Sequence, residues 1–345
     1  MQNTSDFRAR TVDFKLGERN IFLHLLTQCN LACRHCYINP SQHGTNILPK
    51  ATAIDWLRLF ARPDCSSNLV LLGGEPTLHP DLAEIIRAAK ALRYAVTVDS
   101  NGFLFHNLLE RLRPDELDFL SFSLDGPDAA VNDTIRGEGV FAVCTKNLRQ
   151  AVALGFRTSL ICTVSALNIK HLHRMPALLA ELGVRRFFIQ VIGLRGKSAA
   201  ADSLQVEPKH WLEAVPETAR QAAHLGIHVT YPKVFLEEGE AFTCAGLAAD
   251  NYFIFPNGRV YRCPLCEDYP MHSLCIENGQ AVRQRGLNED RFFSLSIPEG
   301  CVMNKLLQPD NIDYLPDGSP RHRISCCMLK QEMPPLSLQE VFKCF

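Results

Sequence analysis

The sequence predicts an α/β protein that begins with a parallel, partial (β/α)6 barrel and ends with a cysteine-rich domain. Three observations predict this organisation. Short apolar runs alternate with amphipathic stretches over the first two-thirds of the chain. The interval from strand to strand is roughly 25–45 residues, the length of a strand–helix–strand unit. Eight of the 14 cysteines lie after residue 240, where the alternation has ended.

The predicted strands are rich in Val, Ile, Leu and Phe, which is typical of strands covered on both faces. They are Ile21–Leu26, Leu69–Leu72, Ala95–Asp99, Phe119–Leu124, Thr158–Val164 and Arg186–Ile192. The predicted helices between them are Ala51–Ala61, Pro80–Leu92, Leu104–Arg113, Val140–Leu154 and His171–Leu182. Six such units, with short glycine-bearing turns after the strands, favour a parallel barrel or part of one.

The pattern changes after residue 195. Small and polar residues at Gly196–Gln205 predict a linker. A helix at Pro208–Leu225 and a short strand at Ile227–Tyr231 follow it. We therefore divide the chain into three parts, which are a barrel over 18–195, a linker with helix and strand over 196–235, and a cysteine-rich domain over 236–345.

The charge balance excludes some classes of partner. Lys and Arg total 36 against 37 for Asp and Glu, so a net charge of −1 gives no support to binding of bulk nucleic acid. No apolar run reaches about 18 residues, and the first residues lack the apolar core of a signal peptide. We therefore expect a cytoplasmic chain without a membrane span. Its thiols should stay reduced, and the common use of clustered reduced cysteines is metal binding.

The first cysteine cluster follows the first predicted strand. Cys29, Cys33 and Cys36 form a C-x3-C-x2-C loop, and the next cysteine is the distant Cys65. Three thiolates on one loop can hold three corners of a cubane iron–sulfur cluster and leave one iron open for a ligand. The alternative is a zinc knuckle that takes its fourth ligand from elsewhere in the chain.

The position of this loop also points to an active site. In a barrel, a loop after a strand lies at the C-terminal mouth, where active sites collect. His24 and His35 flank the cysteines, and we interpret them as packing residues or supports for the ligands.

The cysteine loop, with the aromatic Tyr37 directly after it, resembles that of the radical S-adenosylmethionine (radical SAM) enzymes. The resemblance covers residues 20–200, and further motifs agree in order and at strand ends. The combination of the cysteine loop with a Gly-Gly-Glu-Pro motif is its most specific part. The matching segments are Gly73-Gly74-Glu75-Pro76, Ser100-Asn101-Gly102, Ser123-Leu124-Asp125-Gly126, Ile135-Arg136-Gly137 and Gln190 to Gly196.

The resemblance implies a [4Fe-4S] cluster on the three cysteines, with an open iron that S-adenosylmethionine chelates. It implies that the Gly-Gly-Glu-Pro motif contacts the methionine amino group, that the Ser-Leu-Asp-Gly motif lies near the ribose, and that the last segment approaches adenine. The implied binding residues are Tyr37, Gly73, Gly74, Glu75, Asn101, Ser123, Asp125, Arg136 and Gln190. Considered alone, Glu75 could accept hydrogen bonds from an ammonium group. However, Gly-Gly-x-Pro also forms plain turns.

The implied reaction is reductive cleavage of S-adenosylmethionine to a 5′-deoxyadenosyl radical, which abstracts hydrogen from a substrate. A one-electron reductant such as flavodoxin or ferredoxin is implied as a partner. The protein would supply placement and exclusion of solvent, because the cofactor carries the chemistry.

A second cysteine set lies in the last third of the chain. Thirteen residues separate Cys244 from Gly258, and four separate Gly258 from Cys263. Asn257-Gly258 between two β-prone runs predicts a hairpin, which would return Cys263 toward Cys244. The spacing resembles the SPASM and twitch extensions of radical SAM enzymes, which implies an auxiliary iron–sulfur cluster. The complete SPASM run of cysteines is missing after Cys266, so we expect one such cluster.

The ligands of this second site are less defined by the sequence. We expect them to be Cys244, Cys263, Cys266 and Cys326, and further candidates are Cys275, Cys301 and Cys327. A structural zinc is the alternative. Cys65, Cys144 and Cys162 stand alone and are interpreted as buried apolar residues, and Cys344 has no assigned role.

Three functions stay open at this stage. Peptide or protein modification is the first, although only about 20 residues precede the first predicted strand, too few for an N-terminal peptide-binding domain. A small-molecule or cofactor-biosynthesis oxidoreductase is the second. The third is a non-catalytic iron–sulfur or zinc protein, which the Gly-Gly-Glu-Pro motif disfavours because a carrier needs no methionine pocket.

Overall fold

The computed structural model describes residues 9–15, 17–62, 64, 66–200 and 204–335, and the fold is given for these ranges. The strands are β1 Arg10–Val12, β2 Glu18–His24, β3 Ser66–Leu72, β4 Ala95–Ser100, β5 Phe119–Ser123, β6 Thr158–Val164, β7 Arg186–Val191, β8 His228–Pro232, β9 Asp250–Ile254, β10 Arg259–Tyr261, β11 Leu274–Glu277, β12 Gln280–Arg283 and β13 Lys330–Met333. The α-helices are α1 Pro40–His43, α2 Lys50–Phe60, α3 Leu82–Ala91, α4 Leu108–Arg111, α5 Ala129–Arg136, α6 Val140–Ala153, α7 Met175–Glu181, α8 Pro208–His224, α9 Ala245–Ala248 and α10 Val302–Leu307.

The strands form one sheet in the order β1-β13-β8-β7-β6-β5-β4-β3-β2-β9-β10-β11-β12. Strands β2 to β8 run parallel to one another, β9 is parallel to β2, and β13 is antiparallel to β8. The predicted parallel, partial barrel is therefore confirmed. The strand predicted at Ile227–Tyr231 is β8, which adds a seventh parallel strand to the six of the predicted barrel. The sheet continues across the predicted domain boundaries without a break. The division of the chain into domains stays a prediction.

The two faces of the parallel sheet differ in chemistry. Val98, Phe122 and Leu160 are fully buried among the helices that cover the outer face. Since side chains alternate along a strand, Asp99 and Ser121 point the other way, and the pairing register puts them side by side. The inner face of the partial barrel is thus polar close to the ends of the strands.

Two predicted helices are shorter than expected. The helix predicted at Leu104–Arg113 is reduced to α4, because His106 and Asn107 take left-handed backbone conformations just before it. The helix predicted at His171–Leu182 is a 3₁₀ segment at Ile169–Arg174 followed by α7. Pro176 in the first turn of α7 cannot donate a backbone hydrogen bond to the preceding turn.

Helix α5 was not predicted, although its start signal is present. The Asp128 side chain accepts a hydrogen bond from the backbone N–H of Val131 at 3.0 Å and caps the helix. The helix ends at Arg136, before Gly137. The last turn of α5 thereby places Ile135 and Arg136 against the cysteine loop.

Two of the isolated cysteines are buried, as predicted. They are Cys144 and Cys162, whereas Cys65 and Cys344 lie outside the described residues.

The Asn257-Gly258 hairpin is confirmed as β9 and β10. Among the described residues, no helix combines the length and apolar character that a membrane crossing requires.

Candidate functional site

The cysteine loop lies immediately beyond β2, at the C-terminal edge of the parallel sheet. Cys29 is exposed, Cys33 and Cys36 are half-buried, and all three thiols are free. Partial desolvation of the thiol raises the pKa of Cys29 to about 11, and burial raises the pKa of Cys33. The thiols would therefore lose their protons on binding a metal, because a cation stabilises the thiolate.

Asn101 connects this loop to the end of β4. Its side-chain amide donates hydrogen bonds to Asn30 Oδ1 at 2.8 Å and to Cys29 Sγ at 3.7 Å. Its backbone N–H donates to Glu75 Oε2 at 2.7 Å. Asn101 thus ties the first cysteine to the Gly-Gly-Glu-Pro segment.

Glu75 is fully buried and its carboxylate is already satisfied by the protein. Besides the Asn101 N–H, it accepts hydrogen bonds at Oε1 from the Thr77 N–H at 3.1 Å, the Thr77 hydroxyl at 2.7 Å and the Ser100 hydroxyl at 2.9 Å. Burial raises its pKa. Contact of Glu75 with an ammonium group stays a prediction, and within the protein the carboxylate organises the ends of β3 and β4.

The two glycines before Glu75 allow the backbone to approach the start of the cysteine loop. Gly74 N–H donates to Leu26 O and Glu75 N–H donates to Gln28 O, both at 2.9 Å. A Cβ on Gly73 would lie 2.2 Å from Leu26 O, and one on Gly74 would lie 2.0 Å from Gln28 O. Glycine is needed at both positions because the two backbone segments touch.

A buried ionic group lies on the other side of the loop. Asp125 Oδ2 is 2.6 Å from Arg136 Nε and 3.3 Å from His35 Nε2, and Asp125 Oδ1 accepts a hydrogen bond from Thr163 N–H at 2.8 Å. Asp125 has no solvent-exposed surface. Arg136 therefore forms a buried ion pair with Asp125. Arg136 also presents its carbonyl oxygen 4.0 Å from Cys33 Sγ.

Tyr37 is anchored through an aromatic stack. Its hydroxyl lies 2.8 Å from His24 Nε2, while His24 Nδ1 donates to Ile254 O at 3.0 Å. His24 stacks on Phe255, and Phe255 stacks on His43, each with centroids 3.9 Å apart. Burial lowers the pKa of His24 to about 3 and that of His43 to about 4, so both rings are neutral at pH 7.

Two further predicted residues face the same edge of the sheet. Ser123 is half-buried at the end of β5, and Gln190 is exposed on β7, where it pairs in register with Thr163. Thr163 is the residue that bonds Asp125. The predicted binding residues therefore gather around the mouth of the partial barrel.

The second cysteine set gathers beside the hairpin. Cys263, Cys266, Cys301 and Cys327 belong to one apolar cluster, and Cys326 Sγ accepts a hydrogen bond at 3.5 Å from the N–H of Ala245, the residue after Cys244. Burial raises the pKa of Cys244 to about 12, and the neighbouring Cys326 and Cys263 raise it further. Burial likewise raises the pKa of Cys301, with added contributions from Cys263, Cys326 and Cys244. Cys301 is thus a member of this group that the sequence left among the further candidates.

The cysteines of the second set differ in the groups that surround them. Cys266 follows Cys263 in a 3₁₀ turn at Pro264–Cys266, and its interactions are with Cys263 and with buried acids. Cys327 is close to Cys263 and Cys301 as well as to Cys326. Cys275 lies on β11, where burial raises its pKa, and the charged groups that act on it are Glu277 and Arg259 rather than other cysteines.

Glu289 anchors the backbone at Cys263, in the second cysteine set. It is fully buried and accepts hydrogen bonds from the N–H groups of Arg262 at 2.7 Å and Cys263 at 2.9 Å, and from the Ser273 hydroxyl at 2.7 Å. These contacts fix the backbone between the end of β10 and Cys263. Sequence reasoning missed Glu289 because its partners are 16 to 27 residues away along the chain.

The donor chemistry at both sites fits iron–sulfur clusters. Within the described ranges, no three His, Cys, Asp or Glu side chains converge closely enough for a single metal ion. A four-iron cluster instead needs soft thiolates spread around its volume. Cys29, Cys33 and Cys36 on one loop, tied by Asn101 and Arg136, have that character.

Comparison with known proteins agrees with this geometry. Residues 24–179 match the sequence profile of the Radical SAM superfamily. The chain contains a radical SAM domain. Members of this superfamily use a [4Fe-4S] cluster and S-adenosylmethionine.

Individual relatives extend the match beyond this domain. Mycofactocin maturase MftC of Mycobacterium ulcerans is 28% identical over 252 residues, which cover 68% of this chain and 65% of the relative. PqqA peptide cyclase of Ruegeria pomeroyi is 29% identical over 259 residues, 71% of this chain and 67% of the relative. The chain thus spans about two thirds of the length of these relatives.

The chain also shares its fold with a solved structure. The crystal structure of Streptococcus suis SuiB bound to precursor peptide SuiA superposes with a TM-score of 0.61 at 15% identity, over 86% of this chain and 66% of that one. The likeness therefore includes the region after the barrel.

Proposed function

We propose that this protein is a radical SAM enzyme that cleaves S-adenosylmethionine at its cysteine loop and modifies a peptide. The observation that carries the proposal is the connection of Cys29 through Asn101 to Glu75, since it joins the cluster loop to the Gly-Gly-Glu-Pro segment. When bound, the cluster and S-adenosylmethionine supply one-electron cleavage to methionine and a 5′-deoxyadenosyl radical that abstracts hydrogen from the substrate.

The residues of the chain act by holding these groups in place. Cys29, Cys33 and Cys36 would hold the cluster, and the carbonyl of Arg136 and the amide of Asn101 fix the loop around them. Glu75 keeps the ends of β3 and β4 together. Preorganisation of this kind lowers the entropic cost of binding the cofactor in its reactive geometry.

An auxiliary cluster is part of the proposal. Its ligands would come from the converging thiols of Cys244, Cys263, Cys301 and one of the adjacent pair Cys326 and Cys327. Four protein thiolates would close this cluster, so that it can conduct an electron but cannot take the methionine chelate. A reductant such as flavodoxin or ferredoxin and a cytoplasmic location complete this proposal.

A peptide is the favoured substrate because of how far the matches extend. The alignment with PqqA peptide cyclase covers 71% of the chain, well beyond residues 24–179. The peptide-bound SuiB structure shares the fold over 86% of the chain. Both likenesses therefore extend beyond the length of the radical SAM domain.

Cluster content tests the cofactor part of the proposal. Anaerobically reconstituted protein should hold about two cubanes, hence ~8 iron and ~8 sulfide per chain. The C29A/C33A/C36A variant should keep about half of each. Protein that contains only zinc and takes up no iron would contradict the proposal.

The substrate class needs a second experiment. Short peptides encoded beside the gene, supplied with S-adenosylmethionine and dithionite, should change in mass when analysed by mass spectrometry. Unchanged peptides alongside turnover of a small metabolite would favour the small-molecule alternative.

A further inference from the structure

Arg195 contacts both cysteine regions at once. Its guanidinium carbon lies 5.2 Å from the centroid of the ring of Tyr37, the residue that follows Cys36 of the cysteine loop. Its Nη1 donates hydrogen bonds to the carbonyl of Pro264 and to the carboxylate of Glu267, within and just after the Cys263–Cys266 turn. The side chain of Arg195 is 19% exposed and that of Glu267 only 3%. One enclosed cation therefore connects the two regions.

The backbone next to Arg195 repeats this connection. Gly196 N–H donates to Asp268 Oδ2 at 2.7 Å, and Lys197 N–H donates to Cys36 O at 2.9 Å. Asp268 Oδ1 also accepts a hydrogen bond from Asn39 Nδ2 at 3.3 Å. The segment that the sequence predicts to be a linker is thus bonded on one side to the third cysteine and on the other to the auxiliary turn.

The surroundings leave little room for independent movement. His43 Nε2 donates to Glu267 O at 3.0 Å, and the stack of His24, Phe255 and His43 is buried. Tyr37 is held by His24 at the other end of that stack. Close-packed interiors transmit displacement between neighbours, so a shift of the auxiliary turn would reach Tyr37.

We propose that Arg195 is a positioning residue that makes S-adenosylmethionine binding at the cysteine loop depend on the metal state of the auxiliary cysteines. The inference rests on the proposed function, in which Cys263 is an auxiliary ligand and the loop binds S-adenosylmethionine. A cluster on Cys263 fixes Pro264 and Glu267, these fix Arg195, and Arg195 holds the Tyr37 ring by a cation–π contact. By linkage, S-adenosylmethionine in turn favours the loaded auxiliary site.

A double-mutant cycle on the reconstituted full chain tests this coupling. The dissociation constant of S-adenosylmethionine is measured by equilibrium dialysis for wild type, C263S, R195M and C263S/R195M. C263S should weaken binding ~5- to 20-fold in the wild-type background, within the usual range of such couplings. In the R195M background the same change should weaken binding less than ~2-fold. Equal effects of C263S in both backgrounds would overturn the inference.

A spectroscopic readout is independent of turnover. S-adenosylmethionine should change the electron paramagnetic resonance spectrum of the reduced loop cluster in wild type. R195M should reduce that change, and R195K should restore part of it because the charge is kept. If R195M does not fold, E267Q replaces it in the cycle, since it removes the charge that holds Arg195 and retains the shape.

Arg19 provides the matched control. Its side chain is 13% exposed, Nη2 lies 3.0 Å from Asp250 Oδ2, and Nη1 donates to Phe60 O at 2.9 Å. It therefore joins β2 to β9 with the same kind of contacts, at the opposite end of the strand from the cysteine loop. R19M should bind S-adenosylmethionine like wild type, and an R19M loss equal to that of R195M would overturn the inference. Wild type that fails to bind S-adenosylmethionine would instead contradict the proposed function.

Discussion

Gly196 packs directly against the backbone of Tyr37. A Cβ on Gly196 would lie 2.5 Å from both the carbonyl carbon and the carbonyl oxygen of Tyr37, and Gly196 has a φ of +57°. The residue that follows Arg195 is therefore restricted twice, by backbone conformation and by space. The chain returns here from β7 and touches the residues that follow the third cysteine.

Substitution of this glycine should disturb the loop more than its backbone strain alone predicts. G239A is the matched control, because Gly239 has a φ of +75° and no atom within 4 Å of an added Cβ. G196A should lower the free energy of unfolding by ~2 kcal/mol more than G239A, since it adds a backbone clash to the same conformational strain. Urea titration of the two variants measures the difference, and equal losses would contradict the close approach.

Glu75→Gln should destabilise the protein although it conserves shape. The two oxygens of Glu75 accept four hydrogen bonds, so an amide would turn donor groups toward either Asn101 N–H or the Thr77 and Ser100 donors. We expect a loss of ~2–4 kcal/mol in unfolding free energy. Affinity for S-adenosylmethionine should also fall while iron content stays near wild type. Glu84→Gln, at an exposed ion pair with Arg111, should cost less than ~1 kcal/mol.

Asp99 predicts a pH dependence of stability. Burial raises the pKa of Asp99 to about 7, with the neighbouring Ser121 and Lys330 acting in the opposite direction and Glu75 adding to the rise. In the unfolded chain the group ionises near pH 4. The native state therefore loses stability as pH rises from about 4 to 7, and then the penalty stays constant.

D99N should remove that penalty. At pH 8 it should be at least ~1 kcal/mol more stable than wild type, a value set well below the full shift because Asp99 keeps contact with solvent. At pH 4 the two proteins should have equal stability. Thermal unfolding at both pH values measures this, and a D99N gain that is the same at pH 4 and pH 8 would refute the origin in Asp99 ionisation.

Substitution of Cys301 and of Cys275 distinguishes cysteines that bind the auxiliary cluster from cysteines that do not. C301S should lose the auxiliary cluster, about 4 of ~8 iron per chain, because Cys301 lies among the other thiols. C275S should retain full iron, since Cys275 on β11 interacts with Glu277 and Arg259 instead. Iron and sulfide analysis after reconstitution measures both. Full iron in C301S, or loss in C275S, would reverse the assignment.

The parallel sheet could be predicted from sequence because its signals are local. Strand β6 has the predicted bounds Thr158–Val164, and α6 differs from its prediction only at the last residue. The cysteine loop stands out by its spacing, and Gly73-Gly74-Glu75 stands out by its resemblance to the radical SAM motif. Each of these features depends on residues that are adjacent in the chain.

The contacts that organise the site could not be predicted because they join distant residues. The small and polar residues around Gly196 predict a linker. No signal near Gly196 in the sequence indicates its hydrogen bond to Asp268, 72 residues later. Asp125 and Arg136 lie in two separate motifs that resemble cofactor-binding segments, and the sequence does not indicate that they also form an ion pair with each other. Cys301 has no spacing signal, since its partners come from three different segments.

Only the loop of Cys29, Cys33 and Cys36 should cleave S-adenosylmethionine. The direct measurement is dithionite-driven formation of 5′-deoxyadenosine, quantified by liquid chromatography for wild type, C33A and C263A under anaerobic conditions. Wild type should form the product, C33A should form none, and C263A should keep measurable formation because the open iron is on the other loop. Formation of 5′-deoxyadenosine by C33A, or its absence from wild type with full iron, would contradict the account.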